Sequence, residues 1–200
     1  MCLPLIVRSP DQNRRGITTD AMVSWIDLTP TLLDFAGLDP SRLQYQNAKG
    51  RKVGYSFHGR SFLSVLDQKT TQDWDYVFAS HTFHEITMYY PMRVIRTRQF
   101  KYTLNLAHQL PYPFASDLYE APTWQAAIKN GMDGLYGKRR IGDYIQRPRH
   151  ELYNMEADSS EINNLAENPE FARTLENLQV RLKAFQESSG DPWVVKYKYE

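Results

Sequence analysis

Residues 151–166 read ELYNMEADSSEINNLA, and the local structure on either side can be worked out from this stretch. Its first apolar pair, Leu152-Tyr153, is typical of a β-strand. Just beyond the stretch, Asn168 suits a helix N-cap and Pro169 suits the first helical position. Apolar residues then recur at helical spacing over residues 171–185. The sequence therefore predicts a strand followed by an amphipathic C-terminal helix.

Upstream of this stretch the sequence predicts several more strands. Residues 76–79, 92–95 and 100–106 carry β-branched and aromatic residues between turn signals. Residues 111–148 are rich in proline, glycine and aromatic residues, so we expect an irregular but ordered excursion there, with a short helix at residues 123–129. The second half of the chain is thus predicted to form a small antiparallel sheet packed on the C-terminal helix.

The first part of the chain gives a different pattern. Residues 3–7 and 21–26 are apolar at consecutive positions, which is typical of strands buried on both faces. Residues 39–56 are polar and predict a loop.

Between these segments, a helix is predicted to begin at Thr29-Pro30 and to stop at Gly37. Its apolar face is expected to comprise Leu32, Leu33, Phe35 and Ala36.

Composition excludes some classes of function. The chain is 42% hydrophobic and 24% charged, which is ordinary for a globular protein, and its formal net charge is +1. A near-neutral chain lacks the electrostatic footprint of a protein that binds nucleic acid or an anionic membrane. No apolar run approaches the ~20 residues of a membrane span, so we expect neither nucleic acid nor membrane as a partner.

Two segments resemble a known family. Residues 151–166 resemble the E-L-Y-D-L-x-x-D-P-x-E-x-x-N-L-A signature near the C-terminus of sulfatases, with Asn154, Met155 and Ser159 in place of Asp, Leu and Pro. Residues 84–96, HEITMYYPMRVIR, resemble the heparan N-sulfatase (N-sulfoglucosamine sulfohydrolase, sulfamidase) branch of that family.

The resemblance extends over residues 4–193 and implies the fold. Residues 27–37 and 58–63 are similar to the family segments D-L-x-P-T-L-L-D-x-A-G and G-R-S-L-L. By resemblance the chain is the C-terminal portion of the α/β sulfatase (alkaline-phosphatase-like) fold, with α+β character in its C-terminal part. Residues 1–90 would complete the large domain, and residues 91–200 would form the small C-terminal subdomain.

The resemblance also implies where the chemistry lies. Sulfatases keep their formylglycine nucleophile and most ligands of their Ca²⁺ ion in the N-terminal half. We therefore expect no catalytic residue, metal ligand or cofactor in this chain, and no activity from it alone. Cys2-Leu3-Pro4 superficially resembles the nucleophile motif C-x-P-x-R, but Ile6 stands where arginine is required, so Cys2 is interpreted as an inert thiol.

Candidate substrate-binding residues are His84, Glu85 and Arg93. His81, His84 and Glu85 form an H-x-x-H-E pattern, which is not the H-E-x-x-H pattern of helical zinc sites. On a strand, His81 and Glu85 would share one face and His84 the other. The resemblance implies that His84 and Glu85 contact the substrate sugar, while a purely structural role for both remains an equal alternative. Arg93 is a candidate contact for a sulfated glycan.

Two other groups of residues have alternative interpretations. The basic runs at residues 138–140 and 147–150 are interpreted as solvated surface, since acidic residues balance them along the chain. Six aromatic residues could stack on sugars, although packing in a core or a subunit interface is the more frequent use of such side chains. These are Tyr112, Phe114, Tyr119, Trp124, Tyr136 and Tyr144.

The resemblance finally implies a function for the parent protein. It would remove sulfate from sulfated glycans, first of all the N-sulfate of glucosamine, in an extracytoplasmic compartment. An O-sulfatase of the same family is one alternative, and a stand-alone, non-catalytic glycan-binding or interaction domain is another. A homodimer formed through the C-terminal subdomain is a further expectation.

Overall fold

The computed structural model describes residues 3–84 and 88–199, which fall into two compact units, residues 1–77 and 78–200. Cys2 and Glu85 lie outside the described residues. The assignment of residues 1–90 and 91–200 to two domains of a whole sulfatase stays a prediction. Within the described residues, no helix is both long enough and apolar enough to cross a membrane.

The first unit, residues 1–77, has little regular structure. A 3₁₀ turn at Trp25–Asp27 leads directly into its longest helix. A second and a third 3₁₀ turn lie at Pro40–Arg42 and Leu63–Val65. The remaining elements are helix α1, Leu28–Phe35, and the strands β1, Gln44–Gln46, and β2, Lys52–Gly54.

Helix α1 ends as predicted but begins earlier than predicted. Gly37 has φ +74°, and the amides of Gly37 and Leu38 donate to the carbonyls of Asp34 and Leu33, so the predicted glycine stop is confirmed. The start is at Leu28, because Asp27 and not Thr29 occupies the N-cap position. Pro30 therefore lies at the third helical position, still within the first turn that needs no amide donor.

The predicted loop at residues 39–56 contains a hairpin. Strands β1 and β2 pair antiparallel, and the turn between them uses Gly50 at φ +72°. The side-chain oxygen of Asn47 accepts from the amides of Lys49 and Arg51, both at 3.0 Å. Most of the hairpin's residues are exposed on both faces, so no apolar alternation marks these strands in the sequence.

The predicted strands at residues 3–7 and 21–26 are absent from the described part of the first unit. Ile6 is 92% exposed, and Leu32, on the predicted apolar face of α1, is 67% exposed. The core of this unit is small: Phe62, Val65 and Trp74, with Val7, Ala21, Val23, Leu28 and Leu66 against them.

The second unit, residues 78–200, contains most of the regular structure, and strand β3 begins at the two residues just before it. A 3₁₀ turn at Pro169–Phe171 opens its longest helix, and another at Pro192–Val195 follows that helix. In chain order the elements are β3 Tyr76–His84, β4 Met88–Thr97, β5 Phe100–Asn105, α2 Ser116–Glu120, α3 Pro122–Ile128, β6 Leu135–Tyr136, β7 Arg139–Arg140, α4 Ile141–Ile145, β8 His150–Asn154, α5 Ala172–Ser188 and α6 Lys196–Tyr199.

The predicted sheet is confirmed. Its four strands lie in the order β3-β4-β5-β8, and β5 pairs antiparallel with both β4 and β8. Tyr102 of β5 lies opposite Ile95 on one side and Leu152 on the other, so three buried side chains form a continuous apolar row.

Helix α5 packs on this sheet as predicted. The side chain of Asn168 accepts from the amide of Glu170 at 3.0 Å, which confirms the N-cap. The rings of Phe185 and Phe78 stack with centroids 3.9 Å apart. The buried core between helix and sheet comprises Ile95, Tyr102, Leu104, Leu106, Leu152, Leu178 and Leu182.

Candidate functional site

Two of the predicted substrate-binding residues, His84 and Arg93, lie on the adjacent strands β3 and β4, and Glu85 lies outside the described residues. His84 is the last residue of β3 and is exposed. His81, three residues earlier, is half-buried, with its Nδ1 3.0 Å from the carbonyl oxygen of Tyr90. His81 is therefore tied to the backbone of the neighbouring strand, whereas His84 is available to a ligand.

Arg93 on β4 is buried and makes a two-point ion pair. Its side chain is 8% exposed, and Nε and Nη2 lie 2.5 Å and 3.0 Å from the two carboxylate oxygens of Asp191. Nη1 donates to the carbonyls of His81 at 3.0 Å and Met92 at 2.9 Å. Four of the five guanidinium N–H groups are thus used within the chain. These contacts favour a positioning role for Arg93 over direct contact with a substrate.

Asp191 links the segment after α5 to strands β3 and β4. Besides Arg93, it accepts from Gln186 Nε2 at 3.0 Å and from the amide of Trp193 at 3.1 Å. Burial raises the pKa of Asp191, but the hydrogen bonds from Arg93, Trp193 and Gln186 outweigh it, so the net shift is downward. The carboxylate therefore stays charged and holds Arg93, and with it the adjoining ends of β3 and β4.

Consecutive tyrosines on β4 face opposite environments. Tyr89 is partly exposed, and its ring lies 5.6 Å from that of Trp193. Tyr90 is fully buried, its hydroxyl has no hydrogen-bond partner among the described residues, and burial raises its pKa to about 12. The exposed Tyr89 and the partly buried Trp193 therefore form an aromatic pair that lies close in sequence to His84 and to Asp191.

The structure also contains a buried charge network around Glu151 of strand β8, at the other edge of the sheet from β3. Glu151 is 0% exposed, and its Oε2 accepts from Arg147 Nη2 and from Asn105 Nδ2, both at 2.8 Å. Its Oε1 accepts from Arg139 Nη2 at 3.0 Å and from the Tyr153 hydroxyl at 2.8 Å. Burial raises the pKa of Glu151, but the charge of Arg147 and these hydrogen bonds outweigh it and lower the pKa overall.

This network corrects one interpretation of the sequence. Arg139 and Arg147 belong to the two basic runs that were expected to be solvated, but both lie largely buried against Glu151. A charged residue beside the apolar Leu152 was the signal that partners were needed, since a buried carboxylate requires compensation. Arg140 does follow the expectation, because it is exposed and pairs with Asp133.

The aromatic set packs mostly on itself. The rings of Phe114 and Trp124 lie 4.4 Å apart, and those of Trp124 and Tyr136 lie 5.3 Å apart. Tyr112 and Tyr144 continue the chain of contacts at either end. The packing alternative is thus supported for these five rings. Tyr119 is half exposed and, with other apolar residues, lines a cavity of about 270 Å³.

The described residues hold no cluster suited to a metal ion. Over residues 3–84 and 88–199, no group of three or more His, Cys, Asp and Glu side chains converges. The Ca²⁺ ion that the resemblance implies therefore has no fitting ligand set in this part of the chain.

Comparison with known proteins shows what nearly the whole chain is similar to. No protein-family model matches it. It is 37% identical over 195 residues to the human N-sulphoglucosamine sulphohydrolase, and this match covers 96% of the chain and 38% of the human protein. The chain is therefore similar, over nearly its whole length, to one part of this sulfatase.

Other sulfatases match with lower identity. An ulvan-active sulfatase of Formosa agariphila is 24% identical over 94% of the chain, which covers 29% of that protein. The N-acetylglucosamine-6-O-sulfatase of Bacteroides thetaiotaomicron is 28% identical over 94% of the chain, which covers 25% of it. The chain thus spans well under half the length of each of these sulfatases.

A solved structure supports the sulfatase fold. It shows a protein in complex with its substrate, D-glucosamine-2-N,6-O-disulfate, and superposes with a TM-score of 0.58 and 22% identity. The match covers 94% of this chain and 28% of that one. With its mixed helices and antiparallel sheets, the chain has the predicted α/β architecture of part of a sulfatase, and the fold prediction is confirmed.

The roles of the three candidate residues stay predictions. The described structure brings Arg93 together with the backbone of His81, leaves His84 exposed at the end of β3, and does not include Glu85. Sequence reasoning missed Asp191, which lies 98 residues from Arg93 and outside residues 84–96, the segment that resembles the N-sulfatase branch.

Proposed function

We propose that this chain is part of a sulfatase that hydrolyses sulfate from sulfated glycans, and that the preferred group is the N-sulfate of glucosamine. The observation that carries the proposal is the 37% identity over 195 residues to the human N-sulphoglucosamine sulphohydrolase. The activity belongs to the longer protein and would not be expected from the 200 residues alone.

The role we assign to this chain is recognition of the sugar. His84, exposed at the end of β3, offers one imidazole nitrogen as donor and one as acceptor to sugar hydroxyls. Glu85, the next residue in sequence, would accept from a hydroxyl or from a charged amino group. Arg93 and Asp191 would act as positioning residues, because their buried ion pair holds the adjoining ends of β3 and β4.

The nucleophile and metal belong elsewhere in the proposed enzyme. Formylglycine would supply the group that attacks sulfur, and Ca²⁺ would offset the charge of the sulfate. The described residues offer no ligand set for such an ion. An extracytoplasmic location and a homodimer formed through residues 91–200 remain parts of the proposal.

An O-sulfatase is the second candidate. It is favoured by the 28% identity to the N-acetylglucosamine-6-O-sulfatase of Bacteroides thetaiotaomicron. A stand-alone glycan-binding domain is the third, and the complete reading frame distinguishes it from both enzymes. A C/S-x-P-x-R motif ahead of this segment supports a sulfatase, whereas an independent start without that motif supports a binding domain.

The decisive assay uses the protein encoded by the complete reading frame. Initial rates on N-sulfoglucosamine and on glucosamine-6-O-sulfate give kcat/KM for the two bonds. A larger value for the N-sulfated sugar supports the proposal, and the reverse ratio supports the O-sulfatase. Hydrolysis of neither substrate, by protein shown to be folded, would contradict both.

The sugar-recognition role predicts the effect of His84→Ala in that enzyme. Losing a hydrogen bond to substrate costs on the order of 1–3 kcal/mol when a polar partner is left unpaired. We expect kcat/KM on the sulfated sugar to fall accordingly, while kcat/KM on a small aryl sulfate, which has no sugar hydroxyls, changes little. His108→Ala, in the loop after β5, is the matched control. Equal losses on both substrates would assign His84 a structural role.

A further inference from the structure

A cavity of about 400 Å³ lies beside the β6–β7 hairpin, away from His84 in the sequence. The hairpin is tight, because Tyr136 pairs directly with Arg139 and Gly137 adopts φ +63° in the turn between them. This turn places Lys138, an exposed residue, on the cavity wall. The lining residues are Tyr136, Gly137, Lys138, Arg139, Tyr144 and Ser160.

The wall of this cavity carries excess positive charge. Arg139 lines it and is one of two arginines that share the single carboxylate of Glu151. The other polar contacts of Glu151 come from Asn105 and Tyr153, which are neutral groups. Two guanidinium charges against one carboxylate leave one positive charge, held where water screens it poorly.

Two acidic residues near the cavity are bound to other cations, and a third, Asp158, accepts from the backbone amides of residues 162 and 163. Glu161, next to Ser160, accepts hydrogen bonds from Lys101 Nζ at both carboxylate oxygens, at 2.6 Å and 2.8 Å. Asp133 pairs with Arg140 on the exposed side of the hairpin. Within the part of the chain that the structure describes, Lys138 has no ion pair, so its ammonium group is available to an anion from outside.

Aromatic rings and a hydroxyl complete the wall. The ring centroids of Tyr136 and Tyr144 lie 5.9 Å apart, and the guanidinium of Arg139 lies 5.1 Å from the Tyr144 ring centroid. Apolar faces of sugar rings pack on such aromatic surfaces, and Ser160 can donate one hydrogen bond. The cavity volume also lies in the range of about 300–1,000 Å³ that is usual for small-ligand sites.

We propose that this cavity binds a sulfate group carried by a saccharide, as a second contact of the protein with a sulfated glycan chain. Lys138 and Arg139 face the sulfate oxygens, Ser160 donates to one of them, and the Tyr136 and Tyr144 rings pack against the sugar. The inference deepens the proposed function and rests on it for the identity of the ligand. It requires no catalysis, so it can be tested on the 200-residue chain.

The test is calorimetric titration of the chain with a heparin-derived hexasaccharide. Lys138→Ala should weaken binding about tenfold, since a charge-assisted hydrogen bond is lost, and Ser160→Ala should weaken it less. Lys129→Ala removes an exposed lysine that does not line the cavity, and it should leave the affinity unchanged. Equal weakening by Lys138→Ala and Lys129→Ala would indicate diffuse attraction and overturn the site.

Two further probes identify the ligand. A hexasaccharide with its sulfates removed and its amines acetylated should bind at least about tenfold more weakly than the sulfated one, because it lacks the charged contacts. Equal affinity for both would overturn the proposal. Inorganic sulfate that binds as tightly as the hexasaccharide, with the same loss in Lys138→Ala, would reassign the cavity to a free anion and overturn the saccharide assignment.

Failure of this site and failure of the proposed enzyme remain distinguishable. Binding that depends on Lys138, in a protein whose complete form hydrolyses no sulfate, leaves the site standing and removes the enzyme. Hydrolysis without Lys138-dependent binding leaves the enzyme standing and removes the site.

Discussion

The two compact units of this chain bury their apolar side chains to very different degrees. In residues 78–200, helix α5 covers a four-stranded sheet, and seven apolar side chains are buried between them. In residues 1–77, three buried residues make the core, while Leu3, Ile6, Leu32 and Phe35 stay largely exposed. The second unit therefore meets the requirements of an independent core, and the described part of the first does not.

The same contrast holds for buried charge. The second unit encloses Glu151 with two arginines and buries the Arg93–Asp191 pair. Among the described residues of the first unit, Asp27 is the one buried carboxylate. It accepts hydrogen bonds from the amides of Ser24 and Arg60 and not from a buried cation. A unit that keeps charges out of water must hold their partners accurately. We infer that the second unit is the rigid support on which the adjoining ends of β3 and β4 depend.

Removing the charge at the centre of this support should have the largest effect. Glu151→Gln leaves Arg139 and Arg147 without their buried counter-charge, and breaking such a pair costs about 3–5 kcal/mol. We expect urea unfolding of residues 78–200 to shift by that amount. Glu156→Gln, at an exposed position two residues after β8, is the control. A shift below about 1 kcal/mol for Glu151→Gln would mean that the network is dispensable.

Matched leucine substitutions compare the two cores directly. Leu182 in α5 is 1% exposed, so Leu182→Ala should destabilise the second unit by about 2–5 kcal/mol. Leu32→Ala, in α1 of the first unit, removes the same atoms from a mostly exposed position and should change stability by less than about 0.5 kcal/mol. Equal losses would show that Leu32 is packed in solution and would erase the contrast.

Acid should also destabilise the second unit, and the loss of stability per pH unit should be smaller than the loss caused by Glu151→Gln or Leu182→Ala. Burial raises the pKa of Glu151, but Arg147, Asn105 and Tyr153 lower it by more, so it lies below the ordinary 4.5 in the folded state. The unfolded state then binds more protons, and this stabilisation, complete above about pH 4.5, is lost as pH falls through the folded pKa. One carboxylate contributes at most about 1.4 kcal/mol per pH unit. Urea midpoints from pH 6 to pH 3 measure the slope. A slope that is unchanged in Glu151→Gln would contradict the assignment.

Local signals in the sequence predicted the second unit well. The strands at residues 76–106, the N-cap at Asn168 and the helical spacing of residues 171–185 depend on neighbours within a few positions, and all are confirmed. The stop of α1 at Gly37 is confirmed for the same reason. Capping and periodicity are properties of short segments, so they need no knowledge of tertiary contacts.

Apart from the start of α1, which is a local error in the N-cap, the failures involve contacts that a short segment cannot specify. An apolar run such as residues 3–7 indicates burial somewhere, but the described chain does not provide it. The hairpin at residues 44–54 has no alternating pattern, because most of its residues on both faces meet solvent. Arg93 was identified from its segment, yet its partner Asp191 lies 98 residues away and could be found only in the fold.

The candidate sites show the same difference between what the sequence predicts and what only the folded structure reveals. The exposure of His84 at the end of β3 comes from the structure, because the sequence predicted only that His81 and His84 would face opposite sides of a strand. The cavity beside Lys138 depends on the burial of Arg139 against Glu151 on strand β8, and the basic run by itself suggested only a solvated surface. Sequence located the residues, and the packing of the second unit decided which of them face solvent.

Native-state hydrogen exchange on the whole chain tests the contrast between the units most directly. The account predicts that amides of the central strands β4 and β5, such as those of Ile95, Tyr102 and Leu104, exchange only through global unfolding of the second unit. They should then exchange at least about 100-fold more slowly than amides of α1 and of the β1–β2 hairpin, which open locally. Equal protection in both units, lost together in a single transition, would contradict the claim that residues 78–200 form the stable support on their own.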